Sequence, residues 1–141
     1  MAVLLPSQMP DFDGDTPAEA PSLDVRHWPA RSLETAGAHV AFGIGDPVRL
    51  ASPLESIAAV VTRRGAPDEA LALKAAINAW TSDAAWASFD EHRKGTLAPG
   101  MLADIVVLSD NIFKMRPEAI SSATVDVTVI DGRVVYRRKS S

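Results

Sequence analysis

The chain has 141 residues, a net charge of −4 and no cysteine. That length can bury a real core, the charge gives no case for nucleic acid or an anionic membrane as a partner, and the absent thiols exclude disulfides, thiolate metal sites and a cysteine nucleophile. Hydrophobic residues make up 47 % and charged ones 23 %, ordinary for a globular protein, and no apolar run reaches the ~18 residues of a membrane span, so a cytoplasmic location is expected.

Met1 to Leu5 is apolar but too short for a signal peptide, and Pro6 interrupts it. Residues 7–24 are polar and acidic, with Asp11, Asp13, Asp15, Glu19 and Asp24 among three prolines. Residues 1–26 therefore read as a loop or a poorly ordered arm. His27-Trp28-Pro29 leads into a short helix, with Pro29 at its first position and Gly37 just past its end. His39 to Gly43 reads as a short strand, and a loop with Gly43, Gly45 and Pro47 follows.

Ser52-Pro53-Leu54-Glu55 combines a capping box with a proline at the first helical position. Leu54, Ile57, Ala58 and Val61 give the apolar stripe of that helix. Arg63 and Arg64 stand in its last turn, and Gly65 ends it. Pro67-Asp68-Glu69 reads as the next helix start, with Leu73, Ile77 and Trp80 as its stripe. After a break near Thr81-Ser82-Asp83 a short helix runs through Phe89, with Trp86 one turn before it. Asp90 to Lys94 is charged and exposed.

Residues 94–108 run KGTLAPGMLADIVVL. A polar turn and the Pro99-Gly100 turn precede Ile105 to Leu108, which reads as a strand buried on both faces. Pro117-Glu118 signals another helix start. Val125 to Ile130, Asp131-Gly132 and Arg133 to Arg137 form the clearest hairpin, because Asp-Gly suits the two positive-φ positions of a type I′ turn. Helices followed by strands indicate an α+β class or parts of two domains.

The 94–108 segment resembles the one by which amidohydrolase-superfamily enzymes leave their catalytic barrel and enter a small β-sandwich. The closest likeness is to the branch that hydrolyses cyclic amides, ureas and substituted formamides. Trp28 to Leu33, Ala36 to Val40, Ala59 to Arg63, Ala70 to Ala85 and the hairpin Val127 to Tyr136 are similar to further stretches of that family. The resemblance implies the last strand and helices of a TIM-like barrel over residues 27–93 and a β-sandwich portion over 94–141. A whole barrel needs roughly 250 residues, so it also implies a C-terminal fragment, inactive alone.

The family's last barrel strand looks like Gly-Ser-Asp-x-Pro. Gly43 and Pro47 match it, Ile44 and Gly45 stand where Ser and Asp are expected, and Asp46 lies one place later. The resemblance makes Asp46 the candidate catalytic and metal-binding residue, holding a divalent metal, zinc first, and taking the proton of the attacking water. It implies a small-molecule amide or urea as substrate of the full enzyme. The plainer reading of Asp46 is an aspartate ordering the turn before Pro47.

The family's metal site also uses a His-x-His pair, and this chain has none. Its three histidines, His27, His39 and His92, lack metal-ligand spacing. His39 reads as a strand-start residue, with metal ligation as the sharper alternative. His92 reads as surface, and His27 packs or caps. Ser52 is a cap without a Ser-His-Asp arrangement, Gly43-x-Gly45 lacks the third glycine of a dinucleotide loop, and Arg137-Arg138-Lys139 reads as a solvated tail. The second reading is a non-catalytic α+β module. Its exposed sheet edges would drive homo-oligomer formation or association with a separately encoded N-terminal half.

Overall fold

The computed structural model describes residues 1–9, 28–44 and 52–139. Its elements in chain order are β1 (Ala2–Leu4), α1 (Ala30–Thr35), β2 (Val40–Phe42), α2 (Pro53–Thr62), α3 (Leu73–Trp80), α4 (Ser82–Ala87), β3 (Ile105–Leu108), β4 (Val125–Ile130) and β5 (Arg133–Arg137). Short 3-10 turns stand at Pro6–Gln8, Pro67–Glu69, Ile112–Lys114 and Pro117–Ser122.

The first correction concerns Met1 to Leu5. Residues 2–4 are a strand, parallel to β2 in the register Ala2↔Val40, Val3↔Ala41 and Leu4↔Phe42. The ladder is closed at its two ends by Ala2 N donating to His39 O (2.8 Å) and Gly43 N donating to Leu4 O (3.1 Å). Parallel neighbours need a long crossover, and α1 lies within it. No hairpin signal marks such a pair, because its partner is more than thirty residues away.

α1 starts one residue later than expected. Pro29 takes the N-cap position, and Gly37 adopts φ +82° just past the end. α2 has its full capping box: Ser52 Oγ accepts from Leu54 N, and Glu55 accepts from Ser52 N at 2.9 Å. Its buried stripe is Ser56, Ile57, Ala58 and Val60 rather than one ending at Val61. The helix stops at Thr62, and Arg63 itself takes the left-handed C-cap conformation at φ +36°, two residues before Gly65.

Pro67 does not open a long helix. Pro67–Glu69 is a single 3-10 turn, Ala70 is extended, and α3 begins at Leu73. The proline and the acids satisfy a helix start locally, but Glu69 is drawn into the interior, which ends the turn. α3 buries Ala76 and Ala79 completely, with Leu73, Ile77 and Trp80 packed beside them. Thr81, at φ −122° and ψ −90°, is both the C-cap of α3 and the N-cap of α4. α4 ends at Ala87, so Phe89 lies outside it, 90 % exposed and at positive φ.

Gly95 holds the next turn against this junction. A Cβ there would meet Ala85 Cβ at 2.7 Å and Thr81 O at 3.0 Å, and its φ is +93°. Both the space and the backbone demand glycine.

β3, β4 and β5 form an antiparallel sheet in that order. The hairpin is as expected, with Asp131 at φ +48° and Gly132 at φ +75°. Its tip is tied to the chain entering β3: Gly132 N donates to Ala103 O (3.1 Å), and Asp131 N donates to Asp104 Oδ1 (2.8 Å). The expected burial of β3 on both faces is wrong. Val106 and Val107 are 57 % and 46 % exposed, because among the described residues no second layer covers them. Pro117–Ser122 is a 3-10 turn rather than an α-helix.

One core collects side chains from both halves of the sequence. Val40 and Phe42 of β2 meet Ile57, Val60, Leu71 and Ala76. Ile112, Ile120 and Ala123, from the turns between β3 and β4, pack into the same cluster, and the Pro117–Ser122 turn lies against α2. Trp28 and Trp80 flank Phe42 with ring centroids at 5.7 and 6.0 Å. Burying a side chain such as Phe42 is worth roughly 1.5–3 kcal/mol.

Candidate functional site

In architectures built on parallel strands, the chemistry gathers at the strands' carboxyl ends. Here that end comprises the Pro6–Gln8 turn after β1 and Gly43-Ile44 after β2. Pro6, Ser7 and Met9 are buried and Ile44 is 52 % exposed. Ser7 Oγ is buried and has no hydrogen-bond partner among the described residues. Asp46, the candidate catalytic and metal-binding carboxylate, lies outside the described residues, as do Gly45, Pro47 and His27.

His39 stands at the other end of the ladder, just before β2. Its Nδ1 lies 3.3 Å from Asp83 Oδ1, and its ring stacks on Trp86 at 4.3 Å between centroids and 16° between planes. A cavity of about 100 Å³ adjoins it, lined by Glu34, His39, Leu71, Asn78 and Asp83 among others. These contacts fasten the start of β2 to α4, which is the strand-start role expected of His39. Asp83 was not singled out by the sequence; its signal is an acid in the first turn of a helix.

His92 and Ser52 fall where the plain readings put them, whereas of the expected solvated tail Arg137 closes β5 and Arg138 pairs with Asp126. His92 is on the surface, 92 % exposed at its side chain, 3.6 Å from Glu91 Oε1. Ser52 is occupied as a cap. Among the described residues, no group of three or more His, Cys, Asp or Glu could hold a metal ion. The described residues therefore do not fit a resident metal.

Sequence reading put Glu69 in a helix start and missed its contact with α1. This buried carboxylate accepts from Ser32 N at 2.9 Å and from Ser32 Oγ. Ser32 N is one of the first-turn amides that α1 cannot satisfy itself, so Glu69 caps α1 from 37 residues away. No local pattern could announce it. Asp90 is perturbed by its neighbours. A hydrogen bond from Lys94 holds it below the usual carboxylate range; partial desolvation opposes this, and the charges of Lys94 and Arg93 reinforce it. Lys94 Nζ lies 2.8 Å from Asp90 Oδ2.

The geometry defines a mixed helix-and-strand chain with one parallel strand pair. Sequence comparison gives its family: the pattern of the Amidohydrolase family matches residues 7–136, so the chain belongs to that family. "Protein LONG AFTER FAR-RED 3" of Arabidopsis thaliana is 35 % identical over 113 residues, covering 75 % of this chain and 19 % of that protein. "Putative amidohydrolase YtcJ" of Bacillus subtilis (strain 168) is 28 % identical over 117 residues, 77 % of this chain and 22 % of that one. The crystal structure of an amidohydrolase from Thermotoga maritima MSB8 superposes with a TM-score of 0.58 at 27 % identity, over 77 % of this chain and 26 % of that one. The chain thus spans about a fifth of the length of the curated relatives it matches.

Proposed function

We propose that this chain is the C-terminal portion of a metal-dependent amidohydrolase that cleaves C–N bonds other than peptide bonds, and that it is inactive alone. The observation that carries this is the family match over residues 7–136, set against coverage of only about a fifth of the relatives' length. On this reading β1 and β2 are the last strands of the barrel, residues 27–93 are its closing part and residues 94–141 are a portion of the sandwich. The parallel pairing of β1 and β2, with α1 in the crossover, supports it.

Asp46 is the chain's own contribution to catalysis. It follows the end of β2 at Phe42 by four residues and offers a carboxylate as ligand and proton acceptor. The remaining ligands have no counterpart in a chain with three histidines and no His-x-His. Zinc chemistry therefore belongs to the composite protein, with a small amide, urea or formamide as substrate and the cytoplasm as its location.

The test is zinc content per chain, for this chain and for Asp46→Ala, beside hydrolysis of a cyclic amide, a urea and an N-substituted formamide. The isolated chain should hold no stoichiometric zinc and turn nothing over. Co-expression with a polypeptide carrying the other barrel strands should restore both, and Asp46→Ala should remove both again. Turnover by the isolated chain would refute the reading.

A second reading is favoured by the open sheet. Among the described residues the strands β3 and β5 are edges, and β5 is exposed along its whole length. A non-catalytic module that self-associates or takes a partner through those edges fits that observation.

A further inference from the structure

The two edges of the β3-β4-β5 sheet differ in charge. The acidic residues Asp104 and Asp110 bracket β3, whose ends are Ile105 and Leu108. Asp104 accepts from the Asp131 amide and Asp110 from Ser109 Oγ; these neutral donors do not offset the negative charge. β5 begins at Arg133 and ends at Arg137, and neither guanidinium has an ion-pair partner among the described residues. The nearby Arg138 is held by Asp126 at 2.8 Å. Between the brackets both edges are apolar: Val106 and Val107 on β3, Val134, Val135 and Tyr136 on β5, all close to half exposed or more.

We propose that this chain assembles with itself head to tail, the β5 edge of one copy pairing with the β3 edge of the next. Charge decides among the possible pairings. A β3–β3 contact sets Asp104 and Asp110 against themselves, and a β5–β5 contact does the same to Arg133 and Arg137. Only the mixed contact sets basic residues against acidic ones, in either strand direction; because Asp104 and Asp110 are six residues apart and Arg133 and Arg137 four, one pair meets directly and the other diagonally, two residues along the strand. Opposite charges across a strand pair stabilise it and like charges oppose it. The free backbone groups of the two edges supply the hydrogen bonds. A head-to-tail contact without closure propagates, so the product is a ladder of sizes rather than a discrete dimer. This deepens the association reading above and does not depend on the amidohydrolase reading.

Sedimentation velocity of the full 141-residue chain over a concentration series tests it. The average mass should climb past that of two copies without a plateau and fall with added salt. Arg133→Glu/Arg137→Glu makes both edges acidic and should shift association to about tenfold or higher concentration. Asp110→Lys, which leaves the Asp104 contact intact, should weaken it by a smaller factor. Mixing Arg133→Glu/Arg137→Glu with Asp104→Lys/Asp110→Lys should restore association at concentrations where neither associates alone, with circular dichroism checking that each is folded. A monomer at all concentrations would overturn both the pairing and the association reading, leaving the arginines as guards of an edge. A dimer that ignores the charge reversals would overturn the pairing and keep association.

Discussion

β2 and β3 are nearly the same kind of segment, short and apolar, yet they meet opposite fates. Val40, Ala41 and Phe42 are all buried, whereas Val106 and Val107 are about half exposed. The difference lies in what surrounds them. β2 has β1 beside it, α3 and α4 packed against it and the Trp28 and Trp80 rings on Phe42. β3 has β4 beside it and, among the described residues, no layer over its central valines. A strand's composition fixes its readiness for burial; the covering layer decides whether burial happens.

The sharpest way to exploit this contrast is to change one side chain in the covered core and one on the open sheet. Ile120, 1 % exposed and packed in the common core, should cost about 2–4 kcal/mol on conversion to Ala. Val134→Thr on the open sheet should change stability by less than about 0.5 kcal/mol. Urea unfolding of both variants measures this, and equal losses would break the comparison. Gly95→Ala comes next, at about 2 kcal/mol or more, because the added methyl strikes Ala85 and the Thr81 carbonyl while φ stays positive; thermal melts would show it. Ser52→Ala removes only the cap of α2 and should cost about 1 kcal/mol, visible as a small shift of the urea midpoint.

The smallest effect is one of pH. The carboxyl of Asp90 is held below its ordinary value of 3.8 in the folded chain. Its stabilising contribution is therefore complete above that value and is lost as pH falls through the lowered folded value. Asp90→Asn should flatten the acid limb of the stability profile slightly, and less so in high salt, since the pair with Lys94 is solvent-facing.

What could be read in advance was local. The Ser52–Glu55 capping box, the Asp131-Gly132 turn and the positive φ of Gly37 each depend on residues within a few places of one another, and each is present. What could not be read was remote. β1 needs β2, Glu69 needs Ser32, and Gly95 needs the α3–α4 junction. The misreading at Pro67 shows the boundary between the two: its local signals favour a helix, and a contact with α1 overrides them. Of the site, the family likeness was legible in words such as residues 94–108 and the hairpin. Asp46, the residue that would carry chemistry, lies outside the described residues, and His39 serves the opposite end of its strand.

The ties at the hairpin tip have one more consequence. Turn amides ordinarily trade their hydrogens with solvent within moments, since nothing holds them. Asp131 N and Gly132 N are instead bonded to Asp104 and Ala103, the residues that feed β3 into the sheet. Their deuterium uptake should be slow while β3 stays in place and fast once it peels away. Two amides at the very end of a loop thus act as a gauge of whether the outermost strand is attached.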